Sequence, residues 1–212
     1  DTIGCEPLLI TFKNKSKFAT DYIWQFNDAT KNAFATKSDT NISFVYRGNG
    51  NFYPTLTARG LFTKNGLSQV CDDIYPDTST QLKRTVTLWE LPKPDFKWVT
   101  DCKNSTTTFA NTSFISTGSI TSIQWNFGDG STSNSAAPTH SYADTGSYQV
   151  VLKATSDHGC VDSVVKTVVI SPVPTADFSF TKTCLGALTN FSDLSLAYND
   201  RIYQWNWEFG NG

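Results

Sequence analysis

A repeated pattern of cysteine and aromatic residues is the feature that most limits how this chain can fold. In three places a cysteine is followed seven residues later by a phenylalanine, and further on by a Trp-x-Phe pair. The three sets are Cys5, Phe12, Trp24 and Phe26; Cys102, Phe109, Trp125 and Phe127; and Cys184, Phe191, Trp207 and Phe209. Such self-similarity indicates one structural unit repeated along the chain. The sequence therefore predicts tandem copies of a single small domain.

A second block of residues recurs in the first two copies and sets their length. The block is Tyr46, Gly50, Phe52, Pro54 and Leu56 in the first copy, and Tyr142, Gly146, Tyr148, Val150 and Leu152 in the second. The predicted domains are residues 1–92, 93–172 and 173–212, and the last holds only the first part of a copy. Prolines near both boundaries predict extended linkers with little freedom.

Alternating apolar and polar residues predict short β-strands throughout the chain. Tyr148, Val150 and Leu152 share one face of such a strand, and the turn signal at residues 128–130 is typical of the short intervals between strands. The apolar spacing of an amphipathic helix is not sustained anywhere. Many short strands with frequent turns predict an all-β sandwich or barrel.

The tryptophan of each Trp-x-Phe pair is predicted to lie in a hydrophobic core. In the second copy Trp125 and Phe127 point to one face of a strand, while Asn126 points to the other. Trp24, Trp125 and Trp207 are therefore expected to be buried, which disfavours the alternative of a sugar-stacking surface. The tryptophans that flank the first linker, Trp89 and Trp98, are expected to pack across the junction between two domains.

Composition and motifs argue against several classes of protein. The net charge is −2, which disfavours a nucleic-acid-binding protein, and no apolar run is long enough to span a membrane. The two histidines, His140 and His158, lie near no nucleophile signature and lack the spacing of a metal site. Asp129 lies between two glycines, where a turn role is favoured over calcium binding because the chain has no calcium-loop motif. The segment is therefore predicted to be non-catalytic, with no cofactor and no metal site.

Three motifs of the second copy resemble those of a known family. They are Trp125-Asn-Phe-Gly-Asp-Gly-Ser131, Pro138-Thr-His-Ser-Tyr142 and Gly146-Ser-Tyr-Gln-Val-Val-Leu152, in that order. The pattern resembles the PKD domain, an immunoglobulin-like β-sandwich of extracellular proteins. The resemblance implies a tandem array of PKD sandwiches, although the first copy lacks both glycines of the turn.

The placement of the cysteines is similar to that in PKD arrays of gliding bacteria. There, such arrays belong to large surface adhesins and other cargo of the type IX secretion route. The resemblance implies an extracellular or cell-surface stalk in an adhesin, with neighbouring repeats as partners and surface polysaccharide or secretion and motility machinery as further candidates. The alternative is a set of accessory or binding PKD modules in a secreted enzyme that degrades polysaccharide or protein.

The five cysteines of a chain without methionine indicate an oxidising compartment. The register of the repeats predicts the pairs Cys5–Cys71 and Cys102–Cys160, each within one copy. Cys184 is expected to lack its partner because the third copy stops at residue 212 and the natural protein is expected to continue. The alternative is a set of five free thiols, and a zinc site is less favoured because no Cys-x2-Cys pair occurs.

Overall fold

In the computed structural model, the described part of the chain forms β-strands. The structure describes residues 2–27, 33–36, 41–76, 84–100, 102–103, 105–198 and 201–210, with the backbone only at 33–36. Every regular element in these ranges is a strand, and the strands pair into sheets that enclose hydrophobic cores. The predicted all-β sandwich class is therefore confirmed. Within the described ranges, no helix meets the length and apolarity that a membrane crossing requires.

The chain divides into two compact units, which are described separately. The first consists of Asp1–Lys93 with two short segments of the second repeat, Phe114–Thr121 and Ala154–Asp162. The second consists of Pro94–Ser113, Ser122–Lys153 and Ser163–Gly212. The three domains inferred from the sequence, with boundaries at 92/93 and 172/173, stay a prediction, because neither compact unit coincides with a single repeat.

Nine strands of the first repeat are found among the described residues of the first unit. They are β1 (Thr2–Cys5), β2 (Leu8–Phe12), β3 (Asp21–Gln25), β4 (Ala33–Thr36), β5 (Ile42–Tyr46), β6 (Gly50–Phe52), β7 (Thr55–Lys64), β8 (Leu67–Tyr75) and β9 (Val86–Trp89). They form three sheets, in the orders β4-β3-β7-β8, β2-β5 and β1-β9-β6, and β1 runs parallel to β9. Alternating side chains of these strands meet in a hydrophobic core together with Phe26, which directly follows β3. The core residues are Tyr22, Trp24, Phe26, Phe44, Tyr46, Leu56, Val86 and Leu88.

The remaining strands belong to the second and third repeats. They are β10 (Phe96–Val99), β11 (Thr107–Asn111), β12 (Ile120–Asn126), β13 (Thr132–Ser133), β14 (Thr139–His140), β15 (Gly146–Ser156), β16 (Val161–Ile170), β17 (Phe178–Phe180) and β18 (Phe191–Asp193). The sheets β10-β11-β14 and β13-β12-β15-β16 belong to the second repeat, and β17 pairs with β18 in the third. The core of the second repeat consists of Phe96, Phe109, Trp125, Phe127, Tyr142, Val150, Leu152, Val168 and Ile170.

The three repeat tryptophans differ in burial. Trp24 and Trp125 lie in the two cores, with 5% and 0% of their surface exposed. Trp207 keeps 39% of its surface exposed, which departs from the predicted core position. Its ring contacts Phe178 and Phe191 of the β17–β18 pair, with centroids 5.6 and 5.9 Å away. Two short strands cover one side of an indole, whereas a sandwich covers both sides.

Candidate functional site

The disulfide that the structure contains joins Cys5 to Cys160, with the two Cα atoms 5.6 Å apart. This corrects the predicted pairing, because neither Cys5–Cys71 nor Cys102–Cys160 is formed. Cys71 and Cys184 are free and exposed, and Cys102 is free and half-buried. The bond therefore links the first repeat to a turn of the second repeat, and both cysteines belong to the first compact unit.

The position of each cysteine in its sheet explains the correction. Cys5 ends β1, where it pairs with Trp89 at the end of the last strand of its own repeat. Cys160 follows the turn between β15 and β16, and its carbonyl accepts a hydrogen bond from the Ser156 N–H at 2.8 Å. Cys71 instead lies opposite Gly60 in the β7–β8 hairpin. Repeat spacing identifies equivalent cysteines, but it does not say whether they pair within a copy or between neighbouring copies.

Aromatic and polar contacts surround this disulfide. Together with the two cysteines, the residues that make these contacts form a cluster that we call the joint. Its members are Cys5, Trp89, Glu90, Ser116, Thr117, Asp157, His158 and Cys160. The ring of His158 stacks on the Trp89 indole, with centroids 3.6 Å apart and an angle of 17° between the planes. Asp157 fixes the turn, since its Oδ1 lies 2.8 Å from His158 Nδ1 and its Oδ2 accepts the Ser119 N–H at 3.0 Å. Trp89, which is predicted to pack across the junction between two domains, thus contacts His158 of the second repeat.

Trp98, the other tryptophan near the first linker, lies elsewhere. Its ring is 5.8 Å from that of Phe96 and packs at the margin of the core of the second repeat. The expectation that Trp98 packs across the junction between two domains is therefore not met. Strand alternation accounts for this, because Trp98 is two residues from the buried Phe96 and shares its face of β10.

Glu90 is the polar centre of the joint. Its carboxylate accepts hydrogen bonds from the Ser116 hydroxyl, from the Thr117 hydroxyl at 2.9 Å and from the Thr117 N–H at 3.1 Å. The Thr117 hydroxyl is in turn 2.8 Å from the side-chain amide of Asn49 in the first repeat. The hydroxyls of Ser116 and Thr117 stabilise the charged carboxylate and lower the pKa of Glu90 below its ordinary value of 4.5.

The Glu90 contacts predict a stability that depends on pH. Because the pKa of Glu90 is lowered by folding, its contribution is complete above the ordinary value and is lost as the pH falls through the lower folded value. We expect Glu90→Gln to lower the urea midpoint of the first unit at pH 7, and the gap from the parent to narrow as the pH falls below 4.5. Urea titrations of both proteins at pH 7, 5, 4 and 3 test this. A gap that stays constant from pH 7 to pH 3 would contradict the role of the carboxylate charge.

The second polar cluster lies in the turn after Phe127, within the second unit. Asp129 accepts the Ser131 N–H at 3.0 Å through Oδ1, and its Oδ2 lies 2.6 Å from Nε2 of His140. Burial acts to raise the pKa of Asp129, but the hydrogen bonds from Ser131 and His140 outweigh it and lower the pKa. The His140 ring stacks on Phe127 at 4.3 Å. This arrangement closes a turn and packs the imidazole against an aromatic ring.

The two His–Asp pairs, His140–Asp129 and His158–Asp157, have structural contacts. His140 and His158 each bond an aspartate at one ring nitrogen and stack on an aromatic ring, so one face of each imidazole is covered. Tyr142 donates its hydroxyl proton to the Phe127 carbonyl at 3.1 Å, and burial raises the pKa of this phenol. Among the described residues, no group of three or more His, Cys, Asp or Glu side chains is placed to hold a metal ion.

The glycines of this turn provide a matched test. Gly128 has φ +84° and Gly130 has φ +95°, a region that favours glycine. A Cβ on Gly128 would lie 2.8 Å from the Gln149 carbonyl oxygen, whereas a Cβ on Gly130 would meet nothing within 4 Å. We expect Gly130→Ala to cost about 1 kcal/mol of unfolding free energy and Gly128→Ala about 2–4 kcal/mol. Chemical denaturation of both variants measures the difference, and equal losses would show that the contact with Gln149 is unimportant.

Some of the joint was not anticipated from the sequence. The sequence patterns do not identify Glu90, Ser116 and Thr117, because their roles depend on two segments that meet only in the folded chain. Asp157 belongs to a turn signal at residues 157–159, but its hydrogen bond from Ser119 is not evident from the sequence. The sequence argues against a catalytic or metal-binding role for His158, and it gives no direct sign that the His158 ring stacks on Trp89. The usable signal was the adjacency of His158 and Cys160 in one turn, with Trp89 beside the linker.

Comparison with known proteins places part of the chain in a family. Residues 91–172 match the family model of the PKD domain. The metalloprotease PrtV of Vibrio cholerae is 37% identical over 105 residues, which is 48% of this chain and 11% of that protein. A microbial collagenase of Vibrio alginolyticus is 48% identical over 54 residues, or 26% of this chain and 7% of that protein. The chain thus spans about a tenth of the length of the curated relatives that it matches.

A solved structure is also similar. The crystal structure of the PKD1 domain from the Vibrio cholerae metalloprotease PrtV is 39% identical and covers 38% of this chain and 96% of that domain, with a TM-score of 0.36. The family match covers the second repeat together with the linker that precedes it. Residues 91–172 therefore form a PKD domain, a non-catalytic module, and the chain is a PKD-domain protein.

Proposed function

We propose that this segment is an accessory, non-catalytic module of an extracellular protein-degrading enzyme, in which the joint holds neighbouring PKD repeats together. The names of the relatives support this role, since the matched stretches belong to a metalloprotease and a collagenase. They shift the preference away from the adhesin stalk of the type IX secretion route that the sequence favours first. An attachment to the cell surface stays a prediction from the sequence.

The observation that carries the proposal is the joint itself. A disulfide, an aromatic stack and a carboxylate with three hydrogen bonds connect the first repeat to two turns of the second. Disulfides persist outside the reducing cytosol, which supports an extracellular location. A covalent bond across 155 residues suits a spacer that must keep its parts together in the presence of proteases. The partners of such a module are the neighbouring repeats of its own chain.

The experiment compares the complete natural protein with its Cys160→Ser variant. Both are assayed on a macromolecular protein substrate, such as gelatin, and on a short peptide. We expect cleavage of both substrates by the natural protein, and a slower rate on gelatin alone in the variant. Val165→Ser serves as a control because Val165 is an exposed side chain of β16 that lies outside the joint. A complete protein that cleaves neither substrate and instead attaches cells to a surface would favour the adhesin.

A further inference from the structure

Cys71 occupies in the first repeat the position that Cys160 occupies in the second. The second block of the repeat places Gly60 level with Ser156. Ser156 bonds the Cys160 carbonyl across its turn, and Gly60 is the direct partner of Cys71 in the β7–β8 hairpin. The two hairpins differ in length, because ten residues lie between Gly60 and Cys71 and three between Ser156 and Cys160. Cys71 is thus a hairpin cysteine like Cys160, although it is free.

Cys102 occupies in the second repeat the position that Cys5 occupies in the first, and the backbone contacts of the two cysteines match. Cys5 pairs in parallel with Trp89, and the next N–H, that of Glu6, donates to the Trp89 carbonyl at 3.1 Å. Cys102 forms a parallel bridge with Ser171, and the next N–H, that of Lys103, donates to the Ser171 carbonyl at 2.8 Å. Each opening cysteine therefore lies beside the end of the last strand of its own repeat. Cys5 is bonded to a hairpin cysteine there, and Cys102 is free.

The hairpin that carries Cys71 also exposes an apolar surface. β8 is the edge strand of its sheet and is exposed along its whole length. Because side chains alternate along paired strands, Phe62 and Leu67 share the face of Cys71, and both are more than half exposed. Leu61 and Val70 form an exposed pair on the other face. An edge strand with exposed large apolar side chains is typical of an interaction surface.

We propose that Cys71 and its hairpin are a docking site for another PKD repeat, which a second copy of this chain presents through its opening cysteine, Cys102. The Cys5–Cys160 bond is the established example of this contact, because it joins an opening cysteine to a hairpin cysteine of a different repeat. Phe62 and Leu67 would cover the partner repeat beside the bond. This inference goes beyond the proposed function and does not depend on it.

The bond forms by exchange with a small disulfide such as oxidised glutathione. The thiolate of Cys71 attacks one glutathione sulfur, which forms a mixed disulfide and releases one reduced glutathione. The thiolate of Cys102 on the second copy then attacks the Cys71 sulfur and releases the other reduced glutathione. Two protein thiols are oxidised and one glutathione disulfide is reduced to two thiols, which take up the two protons.

The test uses the 212-residue protein in two isotopic forms, one unlabelled and one labelled with ¹⁵N. The forms are mixed in a buffer of oxidised and reduced glutathione, digested without reduction and mapped by mass spectrometry. We expect covalent dimers whose main new bond is Cys71–Cys102, with about half of these bonds joining a labelled to an unlabelled peptide in an equal mixture, while Cys5–Cys160 is retained. A mixture that stays monomeric with glutathione on Cys71, or dimers joined mainly by Cys71–Cys71 or Cys71–Cys184, would overturn the proposal.

Two surface variants separate docking from simple thiol reactivity. Leu67→Asp keeps Cys71 and changes a side chain that is 78% exposed, so the fold is expected to persist. It should slow formation of the Cys71–Cys102 bond about tenfold, since burial of a leucine at an interface is lost, and leave the rate of glutathione addition to Cys71 unchanged. The matched control Val165→Asp, also exposed but on β16, should not alter either rate. An equal dimerisation rate in Leu67→Asp would contradict docking on this face.

Discussion

Replacement of both Cys5 and Cys160 by serine should lower the free energy of unfolding of the 212-residue protein by roughly 3–5 kcal/mol. The bond joins residues separated by 155 positions, so its loss restores a large amount of conformational freedom to the unfolded chain. The Trp89–His158 stack and the Glu90 hydrogen bonds remain in the variant, but they must then hold the two turns of the second repeat without a covalent link. Urea denaturation followed by circular dichroism measures the change.

The control for this double variant is Cys71→Ser with the Cys5–Cys160 bond intact. Cys71 is exposed and unbridged, so its replacement should change the unfolding free energy by less than about 0.5 kcal/mol. Reduction of the parent protein should reproduce the loss seen in the double serine variant. A double variant as stable as the parent would show that the noncovalent contacts of the joint suffice.

The fold could be predicted because its signals are local. Alternation along Tyr148, Val150 and Leu152 identifies a strand with a buried face, and the structure places Val150 and Leu152 in the core of the second repeat. The Trp-x-Phe pair identifies Trp125 and Phe127 in the same way, since residues two apart on a strand share a face. Short-range patterns of this kind predict burial correctly because side chains alternate between the two faces of a sheet with the period of two residues that the sequence shows.

The partner of a cysteine could not be predicted by the same means. The repeat register correctly identifies Cys71 and Cys160 as equivalent residues, since they lie opposite the equivalent hairpin positions Gly60 and Ser156. Whether Cys160 bonds Cys102 of its own repeat or Cys5 of the preceding one depends on which repeat end the turn reaches. That is a property of the contact between repeats, and the linker spacing does not determine it. The predicted burial of Trp207 is not met for a related reason. β17 and β18 contact only part of its ring, and the repeat pattern does not say which other strands would cover the rest.

Trp125→Ala should cost about 3–5 kcal/mol of unfolding free energy in the second repeat, the largest effect expected of a side-chain truncation there. The indole is fully buried, with the rings of Phe96 and Phe109 at 5.1 and 5.4 Å, and its N–H donates to the Ser135 carbonyl at 2.9 Å. The alanine variant therefore leaves a cavity and removes the partner of that carbonyl.

Hydrogen exchange of the β15 peptides reads this effect in the second repeat without interference from the first. We expect exchange from β15 to accelerate strongly in Trp125→Ala and to change little in Trp207→Ala, because Trp207 is 39% exposed and packs on β17 and β18. The comparison separates burial from the mere presence of a tryptophan, since both residues hold the same place in the repeat pattern. If Trp125→Ala left β15 exchange unchanged and instead abolished binding to a polysaccharide, the indole would belong to a binding surface. The complete enclosure of Trp125 between the two sheets makes the first outcome the expected one, because a sugar cannot stack on a ring that has no exposed face.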